Sequence, residues 1–130
     1  TASGGTAGIA LIEGCSVDTV VENNRVSEAA TAILIRDGYE DTNIFEFGTV
    51  TVRGNTVTDC VRAVMVYRHE KNVGEKPFCL IVTDNSFSGG AAGTRFAGKT
   101  AIVLATETTG DIIRDNTFAN FTSELYPVKN

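Results

Sequence analysis

Short runs of alternating apolar and polar residues fill most of the chain, and two kinds of run take turns. The first kind is Gly8-Ile9-Ala10-Leu11-Ile12, Ala32-Ile33-Leu34-Ile35-Arg36, Ala63-Val64-Met65-Val66-Tyr67 and Ala101-Ile102-Val103-Leu104-Ala105. Each opens on a small residue and puts large apolar residues at its second and fourth positions. That period of two predicts strands with one face in a core. The second kind is Val21-Glu22-Asn23-Asn24-Arg25-Val26, Val52-Arg53-Gly54-Asn55-Thr56-Val57, Val82-Thr83-Asp84-Asn85-Ser86-Phe87 and Ile113-Arg114-Asp115-Asn116-Thr117-Phe118. Its shared pattern is a β-branched residue, two mostly polar residues, Asn, a small or polar residue, then Val or Phe.

The order is strand, variable loop, strand, Asn turn, short connector, next strand, and it recurs four times. The aligned asparagines are Asn24, Asn55, Asn85 and Asn116, at steps of 31, 30 and 31. A fixed period of this length predicts a solenoid in which each repeat buries the face of its neighbour. Equivalent strands of successive repeats would pair in parallel about 4.8 Å apart. Four apolar columns then point inward: Ile9, Ile33, Val64 and Ile102; Leu11, Ile35, Val66 and Leu104; Val21, Val52, Val82 and Ile113; Val26, Val57, Phe87 and Phe118. A corner needs a sharp backbone bend, and Asn tolerates the left-handed conformation. The four asparagines are therefore expected to make the bend. As an internal ladder, each would donate to the next repeat and accept from the one before. A doubly wound α/β fold also has parallel strands, but it needs helices of about 10–12 residues between them. Only Val26 to Ala32 resembles helix, for one or two turns at most. Hexapeptide solenoids have a smaller period.

Composition changes this picture little. The chain has 130 residues, 42% hydrophobic and 21% charged, which is one globular domain spanning 1–130. The net charge of -5 argues against nucleic acid as main partner, because phosphate binding wants a basic face. It also makes the surface a poor general attractor of acidic polysaccharides. No apolar run approaches the roughly 20 residues of a membrane span, so no membrane insertion is expected. Cys15, Cys60 and Cys79 are an odd count without CxxC spacing, read as buried apolar residues rather than a disulfide framework or zinc site.

The Gly-Ile-x-Leu strand and the Val-x-x-Asn-x-Phe turn resemble the parallel β-helix repeat of the pectate-lyase-like superfamily, from about Gly8 to Phe121. The resemblance implies an all-β fold, a right-handed parallel β-helix of about four coils. It also implies an extracellular, cell-surface or virion protein that binds a polysaccharide on the outer face. Cleavage would be of lyase, epimerase or glycoside hydrolase type, as in polysaccharide lyases and phage tailspikes. Members usually have more coils and a cap. The chain is therefore expected to be a fragment of a longer protein or a subunit of an oligomer. The outward column Ala10, Leu34, Met65 and Val103 is apolar, and would suit either a covering loop or packing in a homotrimer. The outward column Glu22, Arg53, Thr83 and Arg114 reads as an ordinary solvated face.

Three variable segments, residues 37–48, 68–77 and 89–99, are where function is expected. A lyase needs a base, a group that neutralises a uronate and a proton donor to the leaving oxygen. Arg36, Tyr67, His69 and Glu70 are the candidate catalytic residues. Arg68, Tyr39, Glu40, Lys71 and Arg95 are the candidate substrate-binding residues. A glycosidase reading would use two carboxylates from Glu40, Asp41, Glu46 and Glu70. Calcium at Asp37, Glu40 and Asp41 is chemically allowed, but the spacing matches no EF-hand or nonapeptide pattern, and no cofactor or metal is expected. Asn120-Phe121-Thr122 matches a glycosylation sequon, a weak pattern. The contrasting expectation is a non-catalytic β-helix module, a spike shaft or adhesive segment that positions other domains.

Overall fold

The computed structural model describes residues 2–12, 18–37, 48–68, 79–105 and 108–126. These form eleven strands: β1 (Ala2–Ile12), β2 (Thr19–Glu22), β3 (Arg25–Asp37), β4 (Thr49–Arg53), β5 (Thr56–Arg68), β6 (Cys79–Thr83), β7 (Ser86–Gly89), β8 (Thr100–Leu104), β9 (Ile112–Arg114), β10 (Thr117–Ala119) and β11 (Ser123–Tyr126). They make two sheets, and every pairing is parallel. A four-stranded sheet runs β2-β4-β6-β9. A seven-stranded sheet runs β1-β3-β5-β7-β10, with β8 beside the far half of β5 and β11 beside β8. The chain alternates between the sheets from β1 to β7, each return landing one strand further along, while β8 follows β7 and β11 follows β10 within the larger sheet.

Register follows the apolar columns residue for residue. Ile9 pairs with Ile33, Ile33 with Val64, and Val64 with Ile102. Leu11, Ile35, Val66 and Leu104 align in the same way. Val21, Val52, Val82 and Ile113 align in the smaller sheet. Val26, Val57, Phe87 and Phe118 align across the larger one, where the Phe87 and Phe118 rings lie 6.0 Å apart. Ile33, Ile35, Val52, Val57, Val64, Val66, Val82 and Ile102 are fully buried. A one-residue slip would turn every one of these side chains out of the core, so the columns enforce the register. Val50 and Leu80 add a further buried pair at the start of the smaller sheet, which the repeat alone did not single out.

Two expectations need correction. The segment from Val26 to Ala32 is strand, not helix. The connector after each Asn turn is itself part of one 13-residue strand in β3 and again in β5. These strands bend: Glu28 and Asp59, opposite each other in the register, sit at φ 55° and 53°. Beyond the bend Ala32 and Ile33 are both buried, as are Ala63 and Val64 and Ala101 and Ile102. Two consecutive buried residues break the one-face alternation there, and Ala holds the first position in all three.

The second correction concerns the corner. The left-handed residue is not the aligned asparagine but the one before it: Asn23, Gly54, Asp84 and Asp115, at φ 56°, 67°, 56° and 58°. Their identities are those that tolerate this conformation best. Each aligned asparagine follows the bend and bonds along the stack. Asn24 Nδ2 donates to Asn55 Oδ1, Asn55 Nδ2 to Asn85 Oδ1 and Asn85 Nδ2 to Asn116 Oδ1, at 3.1, 3.0 and 2.9 Å. The same oxygens accept the backbone N–H of Asn24, Asn55 and Asn85. In the other direction, the Nδ2 groups of Asn55, Asn85 and Asn116 donate to the carbonyls of Val21, Val52 and Val82, each at 2.9 Å. Asn55 and Asn85 are buried, and these bonds satisfy their polar atoms.

Carboxylates start the smaller sheet in a related way. Asp18 Oδ1 accepts the N–H of Thr49, and Asp111 Oδ1 accepts that of Leu80, each across one strand spacing. The outer face behaves as its polarity requires, with Arg53 paired to Glu22 at the surface. Replacing Asn55 by Ala strands the Asn24 and Val21 backbone groups and part of Asn85. A buried polar group left unpaired costs about 1–3 kcal/mol, so N55A should lose several kcal/mol in urea unfolding. N24A, at the half-buried first position of the same row, should lose about 1 kcal/mol. Equal losses would show that the row does not carry the corner.

Candidate functional site

The third repeat breaks the pattern. From the aligned asparagine to the inward column of Ile33, Val64 and Ile102 is nine residues in two repeats, Asn24 to Ile33 and Asn55 to Val64. It is 17 from Asn85 to Ile102. Two changes produce this. Val57 pairs with Phe87 but Cys60 pairs with Gly89, so the bend residue equivalent to Glu28 and Asp59 is missing. The chain then leaves the sheet at Gly90 and returns at Thr100.

This excursion is firmly held. Gly90 and Ala97 bridge in parallel, and Gly90 N–H donates to Phe96 O while Gly98 N–H donates to Gly90 O. Lys99 N–H donates to Val61 O, which stitches the returning leg to β5. Thr94 donates from its hydroxyl to Ala91 O and closes the tip. Gly89 and Gly98 permit the seam, because a β-carbon on either would run into the Asn120 carbonyl oxygen.

Between this excursion and the bends of β3 and β5 lies an open cleft of about 380 Å³, lined by Glu28, Asp59, Ala91, Thr94, Arg95 and Phe96. The Glu28 and Asp59 backbones are neighbours across a strand pair, so their side chains start about 4.8 Å apart. The Arg95 guanidinium carbon lies 4.9 Å from the centroid of the Phe96 ring, a cation–π contact. The wall thus combines two carboxylates with a stacked flat surface of guanidinium and ring.

Comparison of the chain with protein-family models, curated proteins and solved structures finds no match.

The sequence-predicted residues divide among three places. Arg36 and Tyr67 are register partners on β3 and β5, both half-buried, so the structure brings them together. Arg95 lies beyond the opposite end of those strands and joins the cleft instead. Arg68 ends β5 but its side chain, like that of Asp37, lies outside the described part. His69, Glu70, Tyr39, Glu40, Lys71, Asp41 and Glu46 lie outside the described residues. Among the described residues no group of three His, Cys, Asp or Glu side chains could hold a metal ion. The apolar outward column is aligned through Ala10, Leu34, Met65 and Val103, with Ala10 exposed and the others half-buried.

Glu28 and Asp59 were missed by sequence reasoning, although a signal existed. Each stands four residues after an aligned asparagine, and the same offset gives Asn120 in the last repeat, at φ 62°. The longer asparagine-to-strand step in the third repeat was also readable.

Cys60 lies directly behind Asp59 and is fully buried, with a free thiol whose sulfur bonds Ser88 O. Burial, then the nearby Asp59 charge, pushes its pKa from an ordinary 9.0 up to about 12, against a smaller opposing effect of Arg62. The folded thiol therefore stays protonated while an unfolded chain begins to ionise near pH 9. Stability is fully present below that pH and falls as pH rises toward about 12. The equivalent positions in the neighbouring repeats are Ala29 and Gly89, so Ala fits at residue 60. C60A should fold, and its unfolding free energy should fall less between pH 9 and 11 than that of the parent. Identical pH profiles would show that the thiol is not held neutral by the fold. G98A should melt several degrees lower, because the seam on Asn120 has to open.

Proposed function

We propose that the two parallel sheets are faces of a right-handed parallel β-helix of four coils with an internal asparagine ladder. In this reading the chain is an extracellular or virion protein that binds a polysaccharide. Support for the fold comes from the alternation between two sheets, the constant register and the row of asparagine bonds. The observation that carries the functional reading is the cleft beside residues 90–99. A solenoid's regular residues serve its scaffold, and a repeat that departs from the rule departs for another reason. Here the departure places an aromatic ring, a guanidinium and two carboxylates around one open groove. Sugars are bound by such sets, with a flat apolar surface under the ring and charged acceptors for the hydroxyls. Two carboxylates rooted about 4.8 Å apart can also reach the separations used in glycoside hydrolysis.

A second reading is a non-catalytic shaft or adhesive module. It is favoured by the apolar outward column through Leu34, Met65 and Val103, which would suit packing in a homotrimer.

The test is calorimetric titration with neutral, amine-bearing and uronate polysaccharides, with reducing ends and unsaturated products monitored in parallel. Binding is expected, and F96A should weaken it about tenfold while leaving the circular dichroism unchanged. Retention of full affinity by F96A would move the site away from the cleft. An absence of binding to every polysaccharide, together with a trimer in ultracentrifugation, would leave the shaft reading.

A further inference from the structure

We infer that the outer face of the larger sheet, over Arg25, Ser27, Thr56 and Thr58, holds a sulfate ester of a bound glycan. This rests on the carbohydrate reading above and adds to it a second subsite and the substituent that the subsite takes.

The pairing of β3 with β5 builds this place. Val26 and Val57 are register partners buried in the core, so the residues on either side of each point outward. Arg25 stands beside Thr56, and Ser27 beside Thr58. The four side chains start at the corners of a rectangle of about 4.8 Å by about 6.6 Å. With Val26 they line an open depression of about 200 Å³, and no carboxylate is among its described lining residues. Elsewhere the arginines are engaged: Arg53 with Glu22, Arg114 with Asp115, Arg62 with Thr31, and Arg95 on the Phe96 ring. Arg25 has no such partner among the described residues, and neither do the hydroxyls of Ser27, Thr56 and Thr58. One guanidinium and three hydroxyls therefore surround a single small space with donors.

A guanidinium fork takes two oxygens of an anion. Those two are all that a carboxylate has. A sulfate ester keeps a third terminal oxygen for a hydroxyl across the rectangle. A phosphate ester has the same three oxygens but carries up to about two charges at pH 7. Ser27 and Thr58 lead directly into Glu28 and Asp59, and the chain has a net charge of -5. The more highly charged ester is repelled more strongly. The depression also adjoins the cleft, since residues 27 and 58 line the one and residues 28 and 59 the other. A glycan lying in the cleft can thus set a substituent of its next unit over Arg25.

The test is titration of the full chain with four galactan hexamers that differ only at the sixth carbon: hydroxyl, sulfate ester, phosphate ester or carboxylate. The sulfated hexamer should bind about tenfold tighter than the unsubstituted one, and tighter than the other two. Arg25 and Thr58 are exposed, so R25Q and T58V should melt as the parent does. Each should lose about threefold for the sulfated hexamer and nothing for the unsubstituted one. R114Q removes the same charge from the outer face of the smaller sheet and should leave all four affinities unchanged. Equal binding of sulfated and unsubstituted hexamers overturns the inference while sparing the carbohydrate reading. So does tighter binding of the phosphate or the carboxylate, and so does an equal loss in R114Q and R25Q, because attraction would then be to the chain as a whole. No binding of any hexamer sinks the carbohydrate reading, and the inference with it.

Discussion

The corner of each repeat sets a problem that the rest of the structure depends on solving. At each corner the chain must leave one sheet and enter the other, and there its N–H and C=O groups lose their strand partners. Buried backbone groups without partners cost about 1–3 kcal/mol each. The aligned asparagine answers with a side chain that has the same donor and acceptor as a peptide group. Its oxygen takes the backbone N–H and the Nδ2 of the preceding asparagine, and its amide returns a bond to that repeat's carbonyl. The residue before it absorbs the turn in a left-handed conformation. One position bends and the next bonds, so neither compromises the other.

From this division the packing follows. With corners fixed, the strands of successive repeats meet in one register, and the columns of Val, Ile, Leu and Phe stack like on like. Each buried side chain of this size contributes about 1.5–3 kcal/mol, and a slipped register would forfeit a whole column at once. Corner and core thus select the same alignment, which is the consistency expected of a sequence that specifies one structure.

Much of this was legible in the sequence because repetition amplifies weak signals. A single Val-x-x-Asn-x-Val means little, but four at steps of 31, 30 and 31 align columns that the register then reproduces. The errors came where one residue type has two uses. Asn23 and Asn24 are adjacent and identical, and nothing local says which bends and which bonds. The other repeats do say, because Gly54, Asp84 and Asp115 share the first position and only Asn occupies the second. Val26 to Ala32 looked helical because the bend at Glu28 interrupts the period of two, and a pattern search reads an interrupted alternation as something else.

The site was less legible for a related physical reason. Function in a stack of repeats cannot sit on residues that every repeat needs, since changing them would cost the corner or the core. The proposed site lies where one repeat differs. Glu28 and Asp59 are exposed at left-handed bends, so the core does not dictate their side chains. The third repeat gives up its own bend residue and extends the chain from Gly90 to Lys99 instead. That extension brings Arg95 and Phe96 to the two acids from a distance in sequence that no local motif spans. The regular part of the chain thus supplies fixed attachment points a strand spacing apart. The irregular part supplies the opposing wall, and the groove exists only because the two were built on different rules.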